Sequence, residues 1–335
     1  VRRPRTALAM APAAAAAVLD EPALAALRRV CELVPGPALD DLGSARARAV
    51  LRNTEVLVTG WGCPPLDAAV LATAPRLRAV VHTGGSVRGH VTDECWARGI
   101  EVSSAAGANA LPVAEYTVAM ILLSGKKVLE RAREYRAARQ VEDWLTVPAN
   151  VGNYDRTVGI LSASMIGRRV IELLRQHSFR ILLHDPYVSA AEATHLGAEA
   201  VGLTDLFACS DIVSVHTPLL PATRGLVSRD LIASMRPDAM LINTARGAIV
   251  DQDALAEATA AGRVRAVLDV TEPEVLPAGH PLWEHDNVLI TPHLAGSQGT
   301  EWRRLATAAV AEVARWAAGR GFAHPVPPES MGRSA

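Results

Sequence analysis

The chain has 335 residues, 50% of them hydrophobic and 21% charged, with a formal net charge of −1. This is enough apolar material for two buried cores of ordinary domain size, and a near-neutral chain with scattered basic residues has no field to gather it onto nucleic acid or a membrane surface. Cys31, Cys63, Cys95 and Cys209 stand in no CxxC or CxH spacing, so no metal site or redox pair is indicated, and free thiols in a reducing cytoplasm are expected.

The N-terminus carries Arg2, Arg3 and Arg5 ahead of an apolar stretch that runs to Leu19. Pro4 and Pro12 interrupt it, so a strand over Thr6–Met10 leading into a helix is expected rather than a signal peptide. No window reaches 18 apolar residues free of charge, so no membrane span is expected and the location is read as cytoplasmic. A first series follows: strand Glu55–Thr59, helix Pro65–Ala74, strand Ala79–His82, the segment Val91–Arg98 and strand Glu101–Ser103. Next comes one long helix from Pro112 to about Arg139, with proline at its first position, an apolar first half and a charged second half. Residues 144–155 read as an irregular connection.

A second series alternates strands with helices. The strands are Thr157–Leu161, Arg180–His184, Ile212–Val215, Ala239–Asn243, Ala266–Asp269 and Val288–Thr291. The helices are Ile166–Gln176, Leu203–Ala208, Ser228–Ser234 and Asp253–Ala261. Such alternation predicts an α/β protein with a doubly wound nucleotide-binding sheet. A last helix, Gly299 to Gly319, has no strand after it and is expected to return to the first domain. The domains are therefore expected at 1–111 and 112–295, with 296–335 as the returning helix and tail.

Parallel sheets place ligands outside the carboxyl ends of their strands, so the residues after each strand carry the functional reading. After the first strand of the second series stands Ser162-Ala163-Ser164-Met165-Ile166-Gly167, where only Gly167 remains of a Gly-x-Gly-x-x-Gly turn. Serine fits in place of glycine if its backbone stays at negative φ. Asp185, about 20 residues on, is placed to accept from the ribose hydroxyls of an adenosine and to repel a 2′-phosphate. Taken alone it is an ordinary Asp-Pro turn. Arg246 offers a planar fork to a carboxylate, His293 is suited to trade a proton near neutral pH, and Glu274 can orient an imidazole. Singly, these read as a surface arginine, a structural histidine and a loop glutamate.

Together they form a recognisable order. Asn243-Thr244-Ala245-Arg246-Gly247, Leu268-Asp269-Val270 with Glu274, and Thr291-Pro292-His293 resemble the successive signatures of the D-isomer-specific 2-hydroxyacid dehydrogenases. His216-Thr217-Pro218-Leu219 with Thr223, and Asn109 with Val113-Ala114-Glu115, resemble the segments that precede them. The resemblance runs from about Leu77 to Gly296. It implies a Rossmann NAD-binding domain inserted in a smaller flavodoxin-like α/β substrate domain. It implies that Arg246 binds the substrate carboxylate and carbonyl, that His293 is the acid and base, and that Glu274 is its partner. It places NAD(H) against Ser164, Met165, Ile166, Gly167, Asp185, Thr217, Pro218, Thr244, Ala245, Arg246, Asp269, His293 and Gly296, with NADP disfavoured by Asp185. It places a small 2-hydroxy or 2-keto acid against Gly84, Gly85 and Ser86, and implies a homodimer formed through the 112–139 helix. No metal, nucleic-acid or membrane partner is expected. Two departures stand out: the serines of the turn, and Gly60-Trp61-Gly62-Cys63, where phosphoglycerate dehydrogenases carry arginines. The second argues against a phosphorylated substrate and makes Trp61 a candidate contact for the substrate tail, or else a core residue. The alternative is a non-catalytic or weakly active NAD-binding regulator on the same fold.

Overall fold

The computed structural model describes residues 2–332 apart from Glu142, Trp144 and Ala149, so Trp144 of the expected connection lies outside the described residues. The chain divides into two compact units, Val1–Ala110 with Ser297–Ala335, and Leu111–Gly296.

The first unit holds five strands: β1 (Arg5–Ala9), β2 (Glu32–Leu33), β3 (Val56–Thr59), β4 (Ala79–His82) and β5 (Glu101–Ser104). They pair in parallel in the order β2-β1-β3-β4-β5, the flavodoxin-like order. Both faces are covered, so β3 and β4 are apolar runs rather than alternating ones. Val56, Val58, Ala79 and Val81 pack with Leu27, Leu305 and Val313. Leu57 and Val80 pack on the other face with Leu51, Leu66 and Leu71. Leu305 and Val313 belong to the helix Trp302–Ala317, so the last helix completes one of this unit's two cores.

The second unit holds β6 (Arg156–Leu161), β7 (Phe179–His184), β8 (Glu199–Ala200), β9 (Ile212–Val215), β10 (Ala239–Asn243), β11 (Val264–Leu268) and β12 (Val288–Ile290). All pair in parallel in the order β12-β11-β10-β9-β6-β7-β8. The order turns back at β6 and β9, which makes this a doubly wound Rossmann sheet whose ligand position lies outside the carboxyl ends at that point. Side chains alternate between two cores: Val213, Val215, Leu241 and Ala266 on one face, Ile212, Met240, Ile242 and Val267 on the other.

Two expectations are corrected. The sheet has seven strands rather than six, because β8 and the helix Ala190–Leu196 before it lie between the expected elements. The expected single helix is two, Ala106–Gly125 and Val128–Ala138. It begins earlier because Ala105 to Ala110 are small residues that extend the helix back toward β5, which leaves Pro112 inside it rather than at its start. It ends at Gly125 because its last carbonyls are claimed from outside: Gly152 N–H donates to Gly125 (2.7 Å) and Asn153 Nδ2 to Leu122 (3.0 Å). Lys127 then turns left-handed (φ 51°), and its ammonium meets Asp238 at 2.6 Å. By length and composition alone, Ala106–Gly125 would be long and apolar enough to cross a membrane. It carries Glu115, and its Ala114, Val118 and Ile121 pack against β6 and β10 residues in the core.

Candidate active site

The turn after β6 departs from expectation. Ser162 takes a left-handed backbone, φ +83°, where negative φ was expected of a serine. This conformation costs an L-residue about 1–2 kcal/mol. Asp185, from the end of β7, supplies what offsets it: Oδ2 accepts from the Ser162 hydroxyl (3.1 Å) and from the Ala163 N–H (2.8 Å). Oδ1 accepts from the Tyr187 N–H (2.9 Å). Asp185 therefore closes the turn, and both its oxygens already hold donors before any ribose is considered. Ser164 has ordinary extended geometry and caps the helix Met165–Leu174, its Oγ accepting from Gly167 N–H at 3.3 Å. A Cβ on Gly167 would lie 2.1 Å from the Ser162 carbonyl oxygen, so this glycine is required by the close approach of helix to turn. As first amides of the helix, those of Met165 and Ile166 have no partner within it, which suits an anion.

Below the turn lies His216, buried, with Nε2 2.9 Å from Ser214 Oγ and no partner for Nδ1 among the described residues. Burial pushes its pKa down to about 3. Thr217 is also buried and donates to the Leu161 carbonyl at 3.4 Å, while Pro218 is half-buried.

The acid–base pair sits at the ends of β10, β11 and β12. Asn243 shapes the first loop, accepting from Ala245 N–H (3.0 Å) and donating to the Arg246 carbonyl (2.9 Å). Thr244 Oγ1 is 3.2 Å from Thr117 Oγ1, and the Arg246 guanidinium donates to the Ala245 carbonyl at 2.6 Å. The backbone of Ala245 is thus fully engaged. Gly247 lets this loop press on the next: a Cβ there would fall 2.1 Å from the Thr271 carbonyl carbon. Thr271 Oγ1 donates to the carbonyl of Glu274 (2.9 Å) and so sets that residue's backbone.

Asp269 is buried and takes three donors: Thr291 Oγ1 (2.6 Å) and Leu294 N–H (2.9 Å) on Oδ1, Ala295 N–H (3.0 Å) on Oδ2. Its carbonyl accepts from the His293 N–H (3.0 Å). This cradle holds His293 in a left-handed conformation, φ +52°, just ahead of the bend at Gly296. The result is a 2.6 Å contact between His293 Nδ1 and Glu274 Oε1, with both side chains about half exposed (49% and 58%). Arg246 is more enclosed; burial pulls its pKa below the ordinary value and the Glu274 charge opposes that shift. Asn243 stood in the sequence reading only as part of a motif, and sequence reasoning missed Thr117 and Tyr116, whose Oη is 2.8 Å from Thr291 Oγ1. Tyr116 and Thr117 gave no strand-end signal, since both lie within the helix Ala106–Gly125.

In the first unit, Trp61 is 44% exposed, which removes the core reading. A Cβ on Gly84 would lie 2.7 Å from His82 Nε2 and 3.4 Å from Trp61 Cε2, and one on Gly85 would lie 3.5 Å from Asn109 Nδ2. Gly84 is buried, and Gly85 and Ser86 are half-buried. Among the described residues, no group of three His, Cys, Asp or Glu side chains could hold a metal ion.

Residues 118–295 match the family model described as D-isomer specific 2-hydroxyacid dehydrogenase, NAD binding domain. The chain is 35% identical over 246 residues to a D-3-phosphoglycerate dehydrogenase of Mycobacterium leprae, covering 72% of this chain and 45% of that protein. It is 35% identical over 274 residues to a glyoxylate reductase of Aeropyrum pernix, covering 80% of each. It thus spans about half the length of the phosphoglycerate dehydrogenases it matches. The crystal structure of the TT0316 protein from Thermus thermophilus superimposes with a TM-score of 0.74 at 29% identity, covering 96% of this chain and 100% of that one.

Proposed function

The chain belongs to the D-isomer-specific 2-hydroxyacid dehydrogenase family, and from that premise we propose that it interconverts a small, non-phosphorylated 2-hydroxy acid and its 2-keto acid, with NAD(H) as cofactor. The observation that carries this reading is the 2.6 Å His293–Glu274 pair beside Arg246 at the strand ends of a doubly wound sheet.

The turn fits a dinucleotide, because Gly167 lets the start of the helix close on the Ser162 carbonyl and the first amides of that helix, those of Met165 and Ile166, are not used within it. When bound, the nicotinamide gives or takes the hydride. Ser164, Met165, Ile166 and Gly167 would hold the pyrophosphate. Asp185 would accept from the adenosine ribose through its remaining lone pairs; a 2′-phosphate would meet its charge, so NAD(H) is preferred to NADP(H). Thr217, Pro218, Thr244, Ala245 and Gly296 would border the nicotinamide. Asp269, with three donors already on its carboxylate, acts chiefly by positioning the His293 loop.

Glu274 accepts from Nδ1 of His293 and so leaves Nε2 to exchange the proton. In reduction Nε2 protonates the keto oxygen; in oxidation it removes the hydroxyl proton. Arg246 binds the substrate and offsets the charge that builds on that oxygen. The amides of Gly84, Gly85 and Ser86 would hold the carboxylate, and Trp61 would face the tail. Gly60–Cys63 offers no cation to a phosphate, and it is this segment that supports an unphosphorylated acid, since the relatives include both a glyoxylate reductase and D-3-phosphoglycerate dehydrogenases. A homodimer is proposed as well: the helix Val128–Ala138 buries none of its side chains within this chain, and Val128, Tyr135, Val141 and Leu145 are exposed.

The test is His293→Ala. It is expected to lower kcat for 2-keto acid reduction by roughly 10²–10⁴-fold, the usual weight of an acid–base group, with NADH affinity by fluorescence unchanged. Near-normal turnover would sink the assignment. A wild-type protein that binds NADH but reduces no 2-keto acid, glyoxylate included, would establish the regulator instead.

A further inference from the structure

Three buried side chains of the first unit form a closed set that the chemistry above does not use. Thr59 ends β3, His82 ends β4, and His90 lies at the far end of the loop that contains Gly84, Gly85 and Ser86. The Thr59 hydroxyl is 3.0 Å from His82 Nδ1 and 3.0 Å from His90 Nε2. The two rings lie 4.6 Å apart, tilted by 42°. Burial pushes His82 down to about 3, aided by His90, and His90 down to about 4, so both are neutral near pH 7. A hydroxyl has one proton. With two neutral imidazoles on it, one ring must donate to the oxygen and the other must accept from it; because His82 meets it through Nδ1 and His90 through Nε2, both rings then carry their proton on the same-named nitrogen, both Nδ1–H or both Nε2–H.

This set touches the loop at three places. His90 is part of it. Thr83 ties its start to the Thr59 carbonyl through N–H (2.8 Å) and Oγ1 (3.0 Å). His82 turns Nε2 toward Gly84, where an added Cβ would lie 2.7 Å away. Thr59 thus holds both ends of the loop, its hydroxyl through His82 and His90 and its carbonyl through Thr83, and leaving any of these buried polar atoms unpaired would cost more than a surface hydrogen bond does.

We propose that Thr59, His82 and His90 are positioning residues that lock the Gly84–Ser86 loop in the conformation that binds the substrate carboxylate. The proposal rests on the reading of that loop as the carboxylate site. It predicts that losing the hydroxyl harms carboxylate binding selectively, since the cofactor turn and the His293–Glu274 pair belong to the other unit.

The experiment compares Thr59→Val, which removes the hydroxyl at nearly constant volume, with Thr59→Ser, which keeps it. In Thr59→Val, KM for the 2-keto acid is expected to rise about tenfold, roughly the net weight of one buried hydrogen bond, with kcat and NADH affinity little changed. Thr59→Ser is expected to restore KM. Titration calorimetry with oxalate reads the loop without catalysis, and the same weakening is expected there. In nitrogen-15 spectra of the wild-type protein, His82 and His90 should show the same neutral tautomer and no titration between about pH 5 and 8, above their folded values. Unchanged KM and oxalate affinity in Thr59→Val, or opposite tautomers in the wild type, would overturn the proposal. If the wild type reduces no 2-keto acid yet binds oxalate, the catalytic reading fails while the oxalate comparison still decides this one. If it binds no oxalate, the loop reading and this proposal fall together. Should Thr59→Val not fold, the spectra and Thr59→Ser carry the decision.

Discussion

At the scale of single residues, Ser162 shows what a sequence hides. Its place in the fingerprint could be read, but a positive φ on a serine could not, because it depends on a carboxylate that arrives from the next strand. The backbone conformation costs about 1–2 kcal/mol, and the hydroxyl's bond to Asp185 returns about 0.5–1.5 kcal/mol. The two nearly cancel. Ser162→Gly, which relieves strain and loses the bond, should therefore change stability little. Ser162→Ala keeps the strain and loses the bond, and should be less stable than Ser162→Gly by about 1 kcal/mol, measured by urea unfolding of the two variants side by side. An alanine variant as stable as the glycine variant would mean that the left-handed geometry is not retained. Arg246 and His293 were easier to read, since each stands shortly after a strand and strand ends are where such sheets bind ligands, whereas Glu274 lies farther along the loop after β11 and was legible only together with them. The Thr59–His82–His90 set was not readable, because its three members converge only once β3 and β4 are known to be neighbours.

At the scale of elements, the longer strands of both sheets were legible because full burial makes them continuous apolar runs, whereas the two-residue β2 was not. The two-residue β8 has no such run and is exposed. The helix before it did leave a signal: Ser189-Ala190-Ala191-Glu192 is a capping sequence, Ser189 caps with its side chain, and Gly197 ends the helix at φ 89°. The break at residues 126–127 left none, because the groups that end the first helix come from Gly152 and Asn153, far along the chain. The helix Met165–Leu174 carries the clearest prediction at this level. Its approach to the turn depends on Gly167, where a Cβ would sit 2.1 Å from a backbone oxygen that cannot swing aside. Gly167→Ala should displace the helix start, lower the melting temperature, and weaken NADH binding by more than tenfold, the loss of at least one charge-assisted contact of about 1.5 kcal/mol. Wild-type NADH affinity in that variant would show that the cofactor does not use this turn.

For the whole molecule, the two units carry different loads of buried neutral histidine, and acid should separate them. His82 and His90 lie in the first unit and His216 in the second, with folded pKa values pushed down by burial to about 3, about 4 and about 3. In the unfolded chain each titrates near its ordinary value of about 6.5. Between those limits the unfolded state binds protons that the folded state refuses, so stability is fully present above about pH 6.5 and falls as pH drops toward 4. Each such group removes up to about 1.4 kcal/mol per pH unit. The first unit, with two, should lose up to about 3 kcal/mol per pH unit from this source, twice the loss in the second. Calorimetric scans from pH 7 to 4.5 should resolve one transition whose Tm falls more steeply. Four of the six tryptophans, Trp61, Trp96, Trp302 and Trp316, belong to the first unit, so the larger part of the tryptophan fluorescence change should follow that steeper transition. His90→Gln, which removes one of the titrating rings, should flatten its pH dependence by about half while leaving that of the second unit as it was. Equal slopes for the two transitions, or a first-unit slope untouched by that substitution, would mean that water or charge reaches these imidazoles in the folded protein.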